Sequence, residues 1–357
     1  MSSIQFVSVA ELSVTDPRLT FITVARRQMR LPYLDIDWSQ EPDASLRKWL
    51  MNTSTHTHQH YHWLVSKDNI PVGWLHLRTN NITDRHILSA DIYIDPDYRR
   101  QGLARQTLRF GLNWLADHDL LTDITRFHVD VSSAGSPPAL REHLLNLGFE
   151  ITYTNRQSGA KIQRYDLDEI KQKAQRLQDS AESKGYHFQM IENGNLDQLF
   201  CSADDFFKMR QTTWNLMPTE DAGSEEEIYD NAMNEEWYKS IHDGDMAVMI
   251  VSYDQEDHPV GLSEAWFSVD NPYILSQYDT GVISEHWGNQ LGITMKTLLL
   301  NHLLQNYPQM SKVQYWNTGN AGSNEHMIRI NNVLQYQELY NQYCMEVDLD
   351  QMVQYLG

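Results

Sequence analysis

A chain of 357 residues is a little over two domains long at the usual ~150 residues each. With 41% hydrophobic, 11% aromatic and 21% charged residues, it has the make-up of a globular protein and not of a disordered or fibrous one. Its 28 Lys+Arg against 48 Asp+Glu leave a formal net charge of -20, which repels nucleic-acid phosphate and anionic lipid and favours a small cationic partner such as an amine. No run approaches the ~20 apolar residues of a spanning helix, and the start, Met1 to Phe6, lacks a basic segment followed by an apolar stretch. Cys201 and Cys344 match neither a metal-ligand spacing nor a disulfide framework. The expectation is a cytoplasmic protein with no membrane anchor and no nucleic-acid partner; oligomeric state is left open.

In chain order, Tyr61 to Ser66 and Pro71 to Arg78 are strand-like runs joined by a turn-rich tetrapeptide, which predicts a hairpin. Ile87 to Ile94 alternates apolar Ala90, Ile92 and Ile94 with Asp91 and Tyr93, the period of a half-buried strand, and Pro96 ends it. Beyond Gly102, Leu108, Leu112 and Leu115 recur at helical spacing. Phe127 to Val131 is a strand, Ala139 to Leu147 a helix closed by Gly148, and Phe149 to Thr154 a strand. This order is mixed α/β.

Asp166 to Lys184, free of Gly and Pro, reads as a polar linker helix. After it the pattern returns, with strands at Met246 to Tyr253, Pro259 to Val269, Ile274 to Ile283 and Lys312 to Trp316, and helices at Leu291 to Gln305 and Asn324 to Leu334, the last of the chain. Between these, Ser224 to Ile241 reads as an acidic surface helix or lid.

The return is a repeat. Pro71-Val72-Gly73, Asp91 and Arg99-Arg100-Gln101-Gly102-Leu103-Ala104 recur as Pro259-Val260-Gly261, Asp279 and Trp287-Gly288-Asn289-Gln290-Leu291-Gly292, and from Pro71 to Pro259 as from Asp91 to Asp279 the offset is 188 residues. What repeats is a small-residue turn between a strand and a helix. Such a turn presents unpaired N–H groups and the positive end of the helix dipole, and so holds phosphate. Gly102 and Ala104 allow close approach in the first copy, and Arg99, Arg100 and Arg105 add positive charge.

These residues resemble the GNAT superfamily of N-acetyltransferases, whose signature is Arg/Gln-x-x-Gly-x-Gly/Ala after a strand and opening a helix; Arg99 to Ala104 fits at every specified position. In the second copy, Asp279 to Val282, Gly288 to Gly292, Lys296, Trp316-Asn317, Asn320, Asn324, Met327 and Asn331 resemble the C-terminal domain of tandem proteins of the mycothiol synthase type. The resemblance implies two GNAT-like domains, each a twisted mixed sheet flanked by helices: residues 1–165 with an intact motif, the linker helix 166–184, and residues 185–357 with a divergent motif. It further implies acetyl-CoA as cosubstrate, bound by the backbone of Ile92, Tyr93 and Ile94 and by Arg99, Arg100, Gln101, Gly102, Leu103, Ala104 and Arg105, with direct attack by a small-molecule amine.

Asp91 and Asp279 are the candidate catalytic carboxylates, as general bases or as groups that order the amine. His76 and Glu264 hold matching places in the preceding strands. The second copy departs from the signature at Trp287 and Gln290, and where the family often carries a tyrosine acid stand Leu144 and Asn331. A non-catalytic acyl-CoA-binding or scaffolding protein is therefore the alternative. His56, His58, His60 and His62, at spacing two, read as a solvated strand approach, with divalent-metal binding as the lesser reading, and no metal is assigned. Tryptophans 63, 74, 214, 237, 266 and 316 read as core.

Overall fold

The computed structural model describes residues 3–216, 232 and 245–357. In chain order its elements begin with β1 (Ile4–Ser8), α1 (Leu19–Arg30), α2 (Ala44–Met51), β2 (His58–Lys67), β3 (Ile70–Asn80), β4 (Ile87–Ile94) and α3 (Leu103–Asp117). There follow β5 (Arg126–Ser132), α4 (Leu140–Asn146), β6 (Glu150–Lys161), α5 (Leu167–Glu182), β7 (His187–Glu192), α6 (Ala203–Asn215) and β8 (Met246–Tyr253). The chain closes with β9 (Pro259–Phe267), β10 (Ile274–Val282), α7 (Leu291–Asn306), β11 (Tyr315–Ala321), α8 (Glu325–Val333), β12 (Gln337–Asp348) and α9 (Leu349–Leu356). The strands and helices expected around the repeated motifs are present. The acidic segment 224–241 and Trp237 lie, apart from residue 232, outside the described residues.

The described chain forms two compact units, residues 3–155 with 340–357 and residues 156–216 with 245–339. Residues 340–357, which the duplication assigns to the second half, thus pack within the first unit. Helix α8 is not the last helix of the chain, because an amphipathic α9 follows and buries Leu349, Met352 and Leu356.

In the first unit the strands run β1-β2-β3-β4-β5-β12. The pairs β1–β2, β2–β3, β3–β4 and β5–β12 are antiparallel, and β4–β5 is parallel. One face carries Leu75, Leu77, Leu88 and Phe127 against Leu112 and Leu115 of α3 and Met352 of α9. The other carries Leu64 and Trp74 against Leu19 and Ile22 of α1 and Leu50 of α2. Each sheet face therefore buries one apolar stripe, as period-2 alternation requires.

In the second unit the order is β6-β11-β10-β9-β8-β7. Strand β8 is buried along its whole length. The linker helix is not merely polar: Ile170, Ala174 and Ala181 of α5 join Leu299 and Leu303 of α7 over Val248, Ile250 and Trp316. Phe206, Phe207 and Met209 of α6 cover the opposite face with Met249 and Val251.

The repeated Pro-Val-Gly has a steric cause. A Cβ on Gly73 would meet Ile94 Cδ1 at 2.8 Å and the Tyr93 carbonyl at 2.9 Å, and a Cβ on Gly261 would meet the Gly281 carbonyl at 2.7 Å. Only glycine lets the neighbouring strand pass this close.

Candidate active site

Parallel pairing of β4 with β5 runs from Ile87↔Arg126 to Ala90↔Val129 and stops there. Asp91 is the first residue beyond this fork. Ile92, Tyr93 and Ile94 remain paired to β3 on one side and diverge from β5 on the other. Just after β4 comes the turn into α3. There Arg100 has φ +59° and Gly102 φ +75°, and no side chain caps the helix, whereas Asp166 caps α5 and Ser202 caps α6. The first N–H groups of α3 are thus left for a ligand.

The motif residues divide their roles. Arg99 Nε donates to the Ile94 carbonyl at 2.8 Å, and Gln101 accepts from Lys67 Nζ at 2.9 Å. Leu103 is buried, while Arg100, Gly102 and Ala104 are exposed. Arg105 Nη2 donates to the carbonyls of Tyr355 at 2.7 Å and Leu356 at 3.2 Å, closing the C-terminal end of α9.

The second turn keeps this backbone with different residues. Gly288 has φ +82° and Gln290 φ +63°, so glycine and non-glycine have exchanged places between copies. Trp287 Nε1 donates to the Val282 carbonyl at 2.6 Å, the bond that Arg99 makes to Ile94. The Arg-to-Trp departure therefore preserves the turn and discards its charge. Because a side chain in the left-handed region is strained, Gln290→Gly is expected to stabilise the protein by about 0.5–1 kcal/mol, read from chemical denaturation.

At the fork of the first unit, Arg30, His76, Arg78, Ser89, Ala90, Asp91, His128 and Asp130 line a small recess. Asp91 Oδ2 faces His76 Nδ1 at 3.1 Å and Arg30 Nη2 at 3.5 Å. Burial alone would raise the Asp91 carboxyl, but the Arg30 charge, the His76 bond and Arg78 outweigh it and hold it well below the usual carboxylate range. Burial also lowers His76, so a neutral imidazole donates to a carboxylate. Among the described residues the Arg78 side chain makes no hydrogen bond or ion pair, although it feels Asp91 and Asp130.

His128 sits between Asp130 Oδ1 at 3.3 Å and Glu346 Oε1 at 3.5 Å. Burial would lower its pKa; the bonds to Asp130, Cys344 and Glu346 prevail and push it up to about 11. A raised folded-state pKa stabilises fully below the unfolded value of 6.5 and is lost as pH rises towards 11. The melting temperature is thus expected to fall between pH 7 and 10, and His128→Gln should flatten that fall.

The second unit answers the same problem differently. Glu264 replaces His76, which brings two carboxylates together, and Arg210 of α6 bridges them, Nη2 lying 2.8 Å from Glu264 and 3.2 Å from Asp279. Asp279 lies in a bulge of β10 between Gln277 and Thr280. Asn331, at one tyrosine position, is buried and accepts from Lys296 Nζ at 2.7 Å; burial lowers Lys296 to about 7. Sequence reasoning missed Arg30, Arg78, Asp130 and Arg210, which no motif spacing marks.

A sheet that forks beside an uncapped helix is thus present twice in the described chain. Residues 24–149 match the family model described as Acetyltransferase (GNAT) family, and over nearly its whole length the chain has the fold of a solved tandem GNAT protein. A solved tandem GNAT protein from the clavulanic acid biosynthesis pathway is similar at 14% identity over 97% of this chain and 98% of that one, with a TM-score of 0.70. A GCN5-related N-acetyltransferase from Sphaerobacter thermophilus is similar at 10% identity over 96% and 95%, TM-score 0.61. The glucosamine N-acetyltransferase region of a fungal multi-domain GH3 β-N-acetylglucosaminidase is similar at 10% over 97% of this chain and 38% of that one, TM-score 0.59. No curated protein matches the sequence. No helix among the described residues is long and apolar enough to cross a membrane.

Proposed function

We propose that the protein is an N-acyltransferase that takes an acetyl group from acetyl-CoA in its first half and moves it to an amine by direct attack. The observation that carries this reading is the juxtaposition, within one unit, of the uncapped α3 turn, the splayed edge of β4 and the charged recess at the fork. Acetyl-CoA supplies the activated thioester. The backbone of residues 92–94 would pair with its pantetheine arm as an added strand, and the amides from Leu103 onward would hold its diphosphate. The second turn has the shape without the arginines, which favours the first half as the coenzyme site.

Asp91 Oδ2 is taken by His76 and Arg30, which leaves Oδ1 for the acceptor. A carboxylate held this firmly charged is a good partner for an ammonium, so its role is to hold and orient the acceptor nitrogen, whose proton leaves through the recess. Arg78 offers a guanidinium beside it. The favoured acceptor is therefore an amine that also bears a carboxylate, in preference to a bare polycation.

Release of free CoA from acetyl-CoA, followed against amino acids, polyamines, aminoglycosides and peptides, tests the reading. Turnover with a carboxylate-bearing amine supports it. Calorimetric binding of CoA with no turnover on any amine favours a binding or scaffolding role. Ala104→Asp, which puts a carboxylate where the diphosphate would lie, is expected to weaken acetyl-CoA binding by roughly tenfold or more in the same calorimetry.

A further inference from the structure

We propose that His60, His62 and His76 form a binding site for a divalent transition metal of the zinc class. His60 and His62 stand two residues apart on β2 and so share one face, and His76 on the antiparallel neighbour β3 lies in register with His62. One ring nitrogen from each lies within 4.8 Å of the others. The expected solvated approach is not found: the three residues are 7%, 4% and 4% exposed.

Two further observations point to a ligand. Both ring nitrogens of His62 are buried, and among the described residues neither has a hydrogen-bond partner, an arrangement that costs free energy unless something fills it. Asp91 accepts from His76 Nδ1, which leaves Nε2 without a proton, accepting from His60 Nδ1 at 3.0 Å; a carboxylate behind a metal-binding imidazole is the usual outer support of such sites.

The fold itself does not ask for histidine here. In the second unit Met249 takes the place of His62, since it pairs with Glu264 as His62 pairs with His76, and Ala247 takes that of His60. Apolar residues fill those positions there and are buried. Three imidazoles suit zinc, copper, nickel or cobalt over magnesium or calcium, and they leave at least one coordination position open. Ligands at about 2.1 Å in a tetrahedron stand roughly 3.4 Å apart, so a small rotation of one ring brings the donors into place.

The test uses the full-length protein, stripped with chelator and titrated with cobalt(II) and then zinc. The expected result is one equivalent of cobalt with visible d–d bands, displaced by zinc, together with a rise in melting temperature. His62→Ala should weaken zinc binding at least tenfold, and Asp91→Asn roughly 10–100-fold. No stoichiometric binding by the wild-type protein overturns the proposal, as does a His62→Ala protein that binds as tightly as wild type. Should His62→Ala fail to fold, the wild-type cobalt spectrum decides. A thiolate-to-cobalt band would place the ion at His128, Asp130 and Cys344 and sink the proposal, whereas nitrogen-only ligation upholds it.

Discussion

Arg210→Ala is expected to destabilise the second unit by about 3–5 kcal/mol, seen as a large loss of thermal stability. The guanidinium is 2% exposed and lies between the carboxylates of Glu264, fully buried, and Asp279, largely so. Removing it takes away the cation that bridges two like charges on neighbouring strands, and their mutual repulsion rises in a site where hydration is poor. The same reasoning predicts a rescue. Arg210→Met combined with Glu264→Gln and Asp279→Asn removes every charge from the triad while keeping its volume, and should regain most of the lost stability. If the triple variant is no more stable than Arg210→Ala alone, packing and not charge is what Arg210 contributes.

Asp91→Asn is expected to lower kcat/KM for the acceptor on the order of 100-fold while leaving acetyl-CoA affinity unchanged. The substitution keeps the shape of the side chain and an oxygen that accepts from His76. It removes the charge that Arg30 faces at 3.5 Å and that would hold an ammonium. In the proposed function the coenzyme is held by main-chain amides beyond Arg99, which the change does not touch. A pH signature accompanies it. Because the folded-state pKa of Asp91 is depressed, its stabilisation is present above the ordinary value of 3.8 and is lost as pH falls below it. Asp91→Asn should therefore flatten the acid limb of the melting temperature below about pH 4. Equal loss of coenzyme affinity and turnover would instead mean that Asp91 supports the turn.

How much of this was legible beforehand depends on the range of the interactions. Strand β4 shows its period within eight residues, and the Gly102 turn declares itself between that strand and the leucine stripe of α3. Helices α1 and α2 went unread because their stripes are short and interrupted by arginines, one of which, Arg30, turns out to face Asp91. Trp287 looked like the loss of a functional group, and its bond to Val282 is visible only once the turn is folded. The histidine run looked solvated because alternation alone does not say which face of β2 lies under α2; Trp49 of α2 lies edge-on to His60, His62 and His76.

Local pattern and internal repetition thus carried the α/β class, the duplication and the glycine-bearing turn from strand to helix, because each is written in residues close in the chain or at one constant spacing. The assignment of residues 340–357 to the first unit, the Arg210 bridge and the three-imidazole cluster needed the folded chain. They join residues dozens to hundreds of positions apart, and the free energy that selects such pairs comes from burial and charge compensation that arise only after the strands have come together.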